Sequence, residues 1–142
     1  MDMRRAFPNL TPQNHALASP ASEDYNCIAF AAGDQDHWWW PDLSGLSHWP
    51  PTAEREETIA AFQQAFASIG YEVCANPDLE AGFEKIALYG IGGVPTHAAR
   101  QLPDGRWASK LGELEDIEHE SLNVLAGPLY GAVAAVFRRA VA

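Results

Sequence analysis

Lys85-Ile86-Ala87-Leu88-Tyr89-Gly90, the turn Gly92-Gly93 with Pro95, Thr96 to Leu102, the tight Pro103-Asp104-Gly105-Arg106 and the return Arg106 to Leu111 together decide the fold. Short extended runs bounded by glycine and proline read as strands, so this stretch predicts three consecutive antiparallel strands. The Asp-Gly pair between two extended segments marks a hairpin, because it tolerates the positive backbone angles of a tight turn. With Asp104-Gly105 as the central pair, Leu102 faces Trp107 and Ala99 faces Lys110. Lys110 then shares the face of His97 and Ser109 points away. A one-residue bulge would reverse this and bring Ser109 round.

Downstream, Asp116 to Asn123 reads as a weaker helical or loop segment. Gly127-Pro128 introduces a last element, Leu129 to Val141, read as a strand beginning near Tyr130. Upstream, Tyr71 to Cys74 is a short strand followed by the Ala75-Asn76-Pro77-Asp78 turn, and Glu80 to Glu84 is either a helical turn or loop. Ala53 to Ile69 is the clearest helix: Ile59, Phe62, Phe66 and Ile69 recur at helical spacing and Glu54, Arg55, Glu57, Gln63 and Gln64 take the other side. Thr52 is its expected cap and Gly70 its stop. A second helix is expected from Tyr25 or Asn26 to Ala32, capped by Asp24 and ended by Gly33. Residues 1–22, with Pro8, Pro12 and Pro20, read as an extended N-terminal segment wrapping the surface. Helices followed by a strand meander give an α+β class, with one domain over 1–142 and its core in 23–142.

The formal net charge of −10 argues against nucleic acid or an anionic membrane as the main partner, since both need clustered cations. The acids gather in Glu54 to Glu57 and Glu113 to Glu120, which read as solvated faces. No apolar run reaches membrane-spanning length. Arg4 and Arg5 are not followed by the apolar region of a secretory signal, and with two cysteines, Cys27 and Cys74, the expectation is a reducing cytoplasm and free thiols. Cys74 is expected in the core. Asp34, Asp36 and His37, and Asp116 with His119, lack metal-ligand spacing, so neither a metal nor another cofactor is expected.

Cys27 falls in the first turn of its helix, where backbone N–H groups without intrahelical acceptors favour thiolate over thiol. A nucleophilic thiol needs a base. Of the five histidines, His97 is the best candidate, on a strand with Ala98 and Ala99 leaving room against a packed helix. Trp38-Trp39-Trp40 and Trp49 hold four of the five tryptophans in one loop. Consecutive Trp residues cannot all face one side, so this loop is either pinned to the core or forms an apolar wall over the site beside Cys27.

Tyr25-Asn26-Cys27 leading a helix, then a distant strand with His97 and a following hairpin strand, resembles the papain-like cysteine hydrolase superfamily, especially its compact NlpC/P60-type branch. The similarity covers residues 24–111 as an ordered set of elements, and the whole pattern also looks like a bacterial family of unknown function. The resemblance implies Cys27 as nucleophile, His97 as general base and the Cys27 amide as an oxyanion donor. For the third member it leaves two choices. Asp116, reaching back through a turn at Gly112, ranks first because a carboxylate best stabilises imidazolium, and Ser109 ranks second. No glutamine occupies the usual place before the cysteine, so Asn26 or Tyr25 is the expected substitute donor. The implied substrate is a peptide, another amide or a thioester. The competing expectation is a non-catalytic protein that binds a protein partner through the Trp38 to Trp49 loop.

Overall fold

The computed structural model describes residues 3–111 and 115–141. The turn expected at Gly112, and Glu113, the first acid of the Glu113 to Glu120 cluster, lie outside the described residues. The elements in chain order are a helical turn α1 (Met3–Ala6), β1 (His15–Ser19), α2 (Cys27–Ala32), α3 (Ile59–Ala67), β2 (Glu72–Val73), β3 (Phe83–Ile91), β4 (Val94–Gln101), β5 (Trp107–Lys110), β6 (Asp116–His119), a 3-10 turn over Leu122–Leu125, and β7 (Ala132–Ala140). The strands form one seven-stranded antiparallel sheet in the order β1-β6-β5-β4-β3-β7-β2, an α+β architecture.

One face of the sheet presents Ile86, Leu88, Ala98, Ala108 and Phe137 to α2, α3 and the buried rings of Trp39 and Trp49. The other presents Ala87, Tyr89, Ala99, Trp107 and Ile117 to Phe7, Val124, Leu125 and Tyr130. The strict alternation along β3 and β4 therefore reflects a sheet buried on both sides.

Several elements depart from the sequence reading, each for a local reason. Residues 53–58 are not helical: the Trp49 indole N–H takes the Glu54 carbonyl and Arg55 reaches the Asp42 carbonyl, which ties this segment to the tryptophan loop. Thr58, rather than Thr52, caps α3 by accepting the Ala61 N–H at 3.1 Å. The N-terminal segment carries a helical turn and contributes β1 as a sheet edge, rather than only wrapping the surface. Asp116–His119 is a strand because β5 and β1 bracket it and take its backbone hydrogen bonds.

The register across the β4–β5 hairpin also differs by one residue, with Gln101 opposite Trp107 and Arg100 opposite Ala108. The Gly105 N–H bonds the Leu102 carbonyl at 2.9 Å, the Leu102 N–H bonds the Arg106 carbonyl at 2.7 Å, and Gly105 sits at φ 92°. That is a three-residue loop closing with a glycine bulge, not a two-residue turn. Continued along the strands, this register sets Ser109 opposite Ala99, on the His97 face, and Lys110 opposite Ala98, on the α2 face.

Candidate active site

Cys27 is the first residue of α2. Asn26, not Asp24, is the cap: its Oδ1 accepts the Ala29 N–H at 3.1 Å, and Gly33 ends the helix at φ 89°. A six-residue helix survives here because both ends are satisfied and Ile28, Ala29, Phe30 and Ala31 are buried against the sheet. Burial pushes the Cys27 thiol up to about 11, against the pull of the Ala98, Ile28 and Cys27 backbone N–H groups and the Lys110 charge. The sulfur is therefore protonated at neutral pH. Both cysteines are free thiols. Cys74 is only partly buried and donates to the Asn76 carbonyl at 3.5 Å, so it is not a core residue as expected.

His97 is fully buried on the opposite face of β4 from Ala98, and Cys27 packs with α2 on the Ala98 face, so the fold does not bring the two side chains together. Its Nε2 lies 3.0 Å from Ser109 Oγ, Ser109 Oγ lies 2.8 Å from His119 Nε2, and His119 Nδ1 lies 2.9 Å from the Ser121 carbonyl. His97 Nδ1 is buried with no hydrogen-bond partner among the described residues, so it does not bond the Cys27 sulfur in this state. Burial first, then the nearby His119, holds His97 well below the usual imidazole range. Tyr130 stacks on His97, and its hydroxyl is raised first by burial and then by the Cys27 charge.

The position beside His97 is thus taken by Ser109. Asp116, ranked first for it, is on the other face of the sheet, where its Oδ2 accepts the Tyr25 hydroxyl at 2.5 Å and the Ser19 hydroxyl at 2.6 Å. Ser109 comes round through the one-residue bulge at Gly105, the alternative to the two-residue turn, and Asp116 is held away from His97 by its place in β6. His119 is the member sequence reading missed: it sat in a segment not recognised as strand, and only alternation along Asp116-Ile117-Glu118-His119 could have placed it on the His97 face.

Tyr25 and Asn26 are committed to structural bonds. Asn26 Nδ2 donates to the Trp39 carbonyl at 2.9 Å, and its Oδ1 accepts the Trp39 N–H at 3.1 Å, which clamps the tryptophan loop to the helix start. Trp39 and Trp49 are core residues, Trp40 packs edge-on to Phe62, and Trp38 is exposed. Of the three consecutive indoles, then, the buried middle one cannot line an open wall. Among the described residues no group of three or more His, Cys, Asp or Glu side chains could hold a metal ion. Asp116 and His119 point to opposite faces of β6, and Asp34 pairs with His37 at the surface.

Residues 16–138 match the model of a family described as Domain of unknown function (DUF7689). The chain belongs to that family. No curated protein and no solved structure matches it. The DUF7689 match includes Cys27, His97, Ser109, His119 and Tyr130, and begins within β1, so α1 lies outside it. Among the described residues of this DUF7689 chain, no helix is long and apolar enough to cross a membrane.

Proposed function

We propose that the protein is a papain-like cysteine hydrolase or acyl transferase acting on an amide or thioester, with Cys27 as nucleophile, His97 as base and Ser109 orienting the imidazole. The observation that carries the reading is the buried Nδ1 of His97, which has no hydrogen-bond partner among the described residues. Its other nitrogen is held by Ser109, and the next residue along the strand, Ala98, packs in the same cluster as Cys27. An imidazole with one nitrogen anchored and one lone pair free is equipped to take a proton.

Cys27 packs with α2 on the Ala98 face and His97 points to the other face of β4, so the reaction requires the helix start to move until the sulfur meets Nδ1. Nδ1 then takes the thiol proton and the sulfur attacks the substrate carbonyl carbon. The negative charge passes to the carbonyl oxygen, which the Cys27 backbone N–H is placed to stabilise. Collapse expels the amine or thiol, which leaves with the proton from His97. Water or an acceptor nucleophile then cleaves the thioester by the same steps in reverse order. The resting pair is thiol and neutral imidazole, so reactivity depends on substrate-driven approach rather than on a standing thiolate. The free thiols fit a reducing compartment, the cytoplasm.

A small aryl thioester tests the reading through arylthiol release and the mass of the acylated peptide. Acylation should fall on Cys27 rather than Cys74 and be lost in His97→Ala. Equal, slow acylation of both cysteines, or full retention in His97→Ala, would overturn it. The second reading, a protein-binding module, is favoured by Leu43 and Leu46, each 91% exposed in the loop between Trp38 and Trp49.

A further inference from the structure

We propose that His119 is a positioning residue that fixes the tautomer of His97 through Ser109, leaving the His97 Nδ1 lone pair free to act as base. This rests on the cysteine hydrolase reading for its purpose, but the proton assignment stands on hydrogen-bond geometry and on the neutrality of two fully buried imidazoles.

The chain of contacts can be solved from its far end. A carbonyl oxygen only accepts, so the 2.9 Å contact between His119 Nδ1 and the Ser121 carbonyl puts the His119 proton on Nδ1. A neutral ring then has a bare Nε2. The 2.8 Å contact from Ser109 Oγ to that nitrogen must use the hydroxyl proton. Ser109 has only one proton to give. Its 3.0 Å contact with His97 Nε2 therefore runs the other way, with the imidazole N–H donating to Oγ. A neutral His97 protonated on Nε2 has its lone pair on Nδ1, the atom found buried and without a partner.

The direction of every bond thus follows from one carbonyl at the end of the relay. Serine alone could not impose it, because a hydroxyl donates or accepts with equal ease. Were His119 unable to accept, the Ser109 proton would turn to His97 Nε2. The imidazole would then carry its proton on Nδ1, the nitrogen that must receive the thiol proton. Burial supports the arrangement, since both rings are fully enclosed and a neutral form is favoured for each.

The tautomer is read by long-range proton–nitrogen NMR of 15N-histidine protein near neutral pH. The wild-type His97 should show a protonated Nε2 and an unprotonated Nδ1. In His119→Phe the pattern should invert, and thioester turnover should fall about 10²- to 10⁴-fold, the usual worth of a positioned base. His119→Gln should restore both, since its Oε1 accepts from Ser109 and its amide donates to the Ser121 carbonyl. A wild-type His97 protonated on Nδ1, or an unchanged tautomer in His119→Phe, overturns the inference. If His119→Phe does not fold, the wild-type and His119→Gln spectra still decide it. The expected tautomer without any Cys27 acylation would uphold the relay and sink only the hydrolase reading.

Discussion

The His97 imidazole lies flat on the Tyr130 ring, centroids 4.1 Å apart and planes 6° from parallel. Thr96, the neighbour of His97, donates its hydroxyl to the Tyr130 carbonyl at 2.6 Å, so backbone and ring are registered together. Tyr130 closes the buried side of the relay and excludes water from the imidazole. Tyr130→Ala should cost about 3–5 kcal/mol, as for other buried aromatic truncations. Tyr130→Phe keeps the stack and should stay within about 1 kcal/mol of wild type. Urea unfolding of the pair measures the difference, and equal midpoints for Ala and Phe would remove the stack as a structural element.

The buried imidazoles also set an acid limit on stability. Burial drives His119 down to about 4, and His97 well below 6.5. The unfolded chain, with ordinary imidazoles, therefore binds more protons than the native one below about pH 6.5. Stability from these groups is complete above that value and is lost as pH falls from it through about 4 for His119. His119 alone accounts for on the order of 3 kcal/mol at the acid end. Unfolding midpoints should hold level from about pH 8 to about pH 6.5 and fall from there to about pH 4.5, and His119→Gln should flatten that fall. Coincident wild-type midpoints would mean that the native imidazoles protonate freely.

The meander over residues 85–111 was readable because its glycines and prolines punctuate extended runs, and Gly33 was readable as a helix stop because only the left-handed region fits there. Residue roles were harder. A sheet buried on both faces shows no polar side, so nothing in Thr96 to Leu102 says which face meets the helix. The three-residue loop at Gly105 shares its Asp-Gly signature with the two-residue turn, yet it changes the register by one and exchanges Ser109 for Lys110 beside His97. Asp116 to His119 carries three titratable residues in four and has weak strand propensity. Its pairing with β1 and β5 is a long-range effect that local sequence does not encode. The two helices were placed, but not their caps: Asn26 is held by its two bonds to Trp39, and Thr58 follows a segment tied to the tryptophan loop by Trp49 and Arg55.

Gly131 is the glycine the fold can least replace. It sits at φ 74°, and a side-chain carbon added there would lie 2.3 Å from the Gly90 carbonyl oxygen, at the irregularity where β3 meets β7. Gly33 is also left-handed, at φ 89°, but nothing lies within 4 Å of a carbon added to it. Gly33→Ala should cost about 1–2 kcal/mol from backbone strain alone. Gly131→Ala adds a clash with backbone and should cost clearly more, or prevent folding. Thermal unfolding of the two variants ranks them, and a milder effect at Gly131 would contradict this packing.

On the α2 face, Tyr25 and Asp116 tie the segment before the helix to β6, the strand next to the β1 edge. The Asp116 side chain is fully buried, its Oδ2 takes hydroxyls from Tyr25 and Ser19, and its Oδ1 has no hydrogen-bond partner among the described residues. A buried carboxylate with few donors is sensitive to losing one. Tyr25→Phe should cost about 1.5–3 kcal/mol, the range for a hydrogen bond to a charged acceptor. Tyr25→Phe with Asp116→Asn should cost less than the sum of the two single changes, because the carboxylate that needs the hydroxyl is then gone. Burial, followed by the Asp116 contact, raises the Tyr25 hydroxyl to about 12, so it remains a donor at neutral pH. That contribution is complete below the ordinary tyrosine value of 10.0 and is lost as pH rises through about 12. A double-mutant cycle by urea unfolding near neutral pH checks the coupling, and strict additivity would show that the 2.5 Å contact contributes nothing specific.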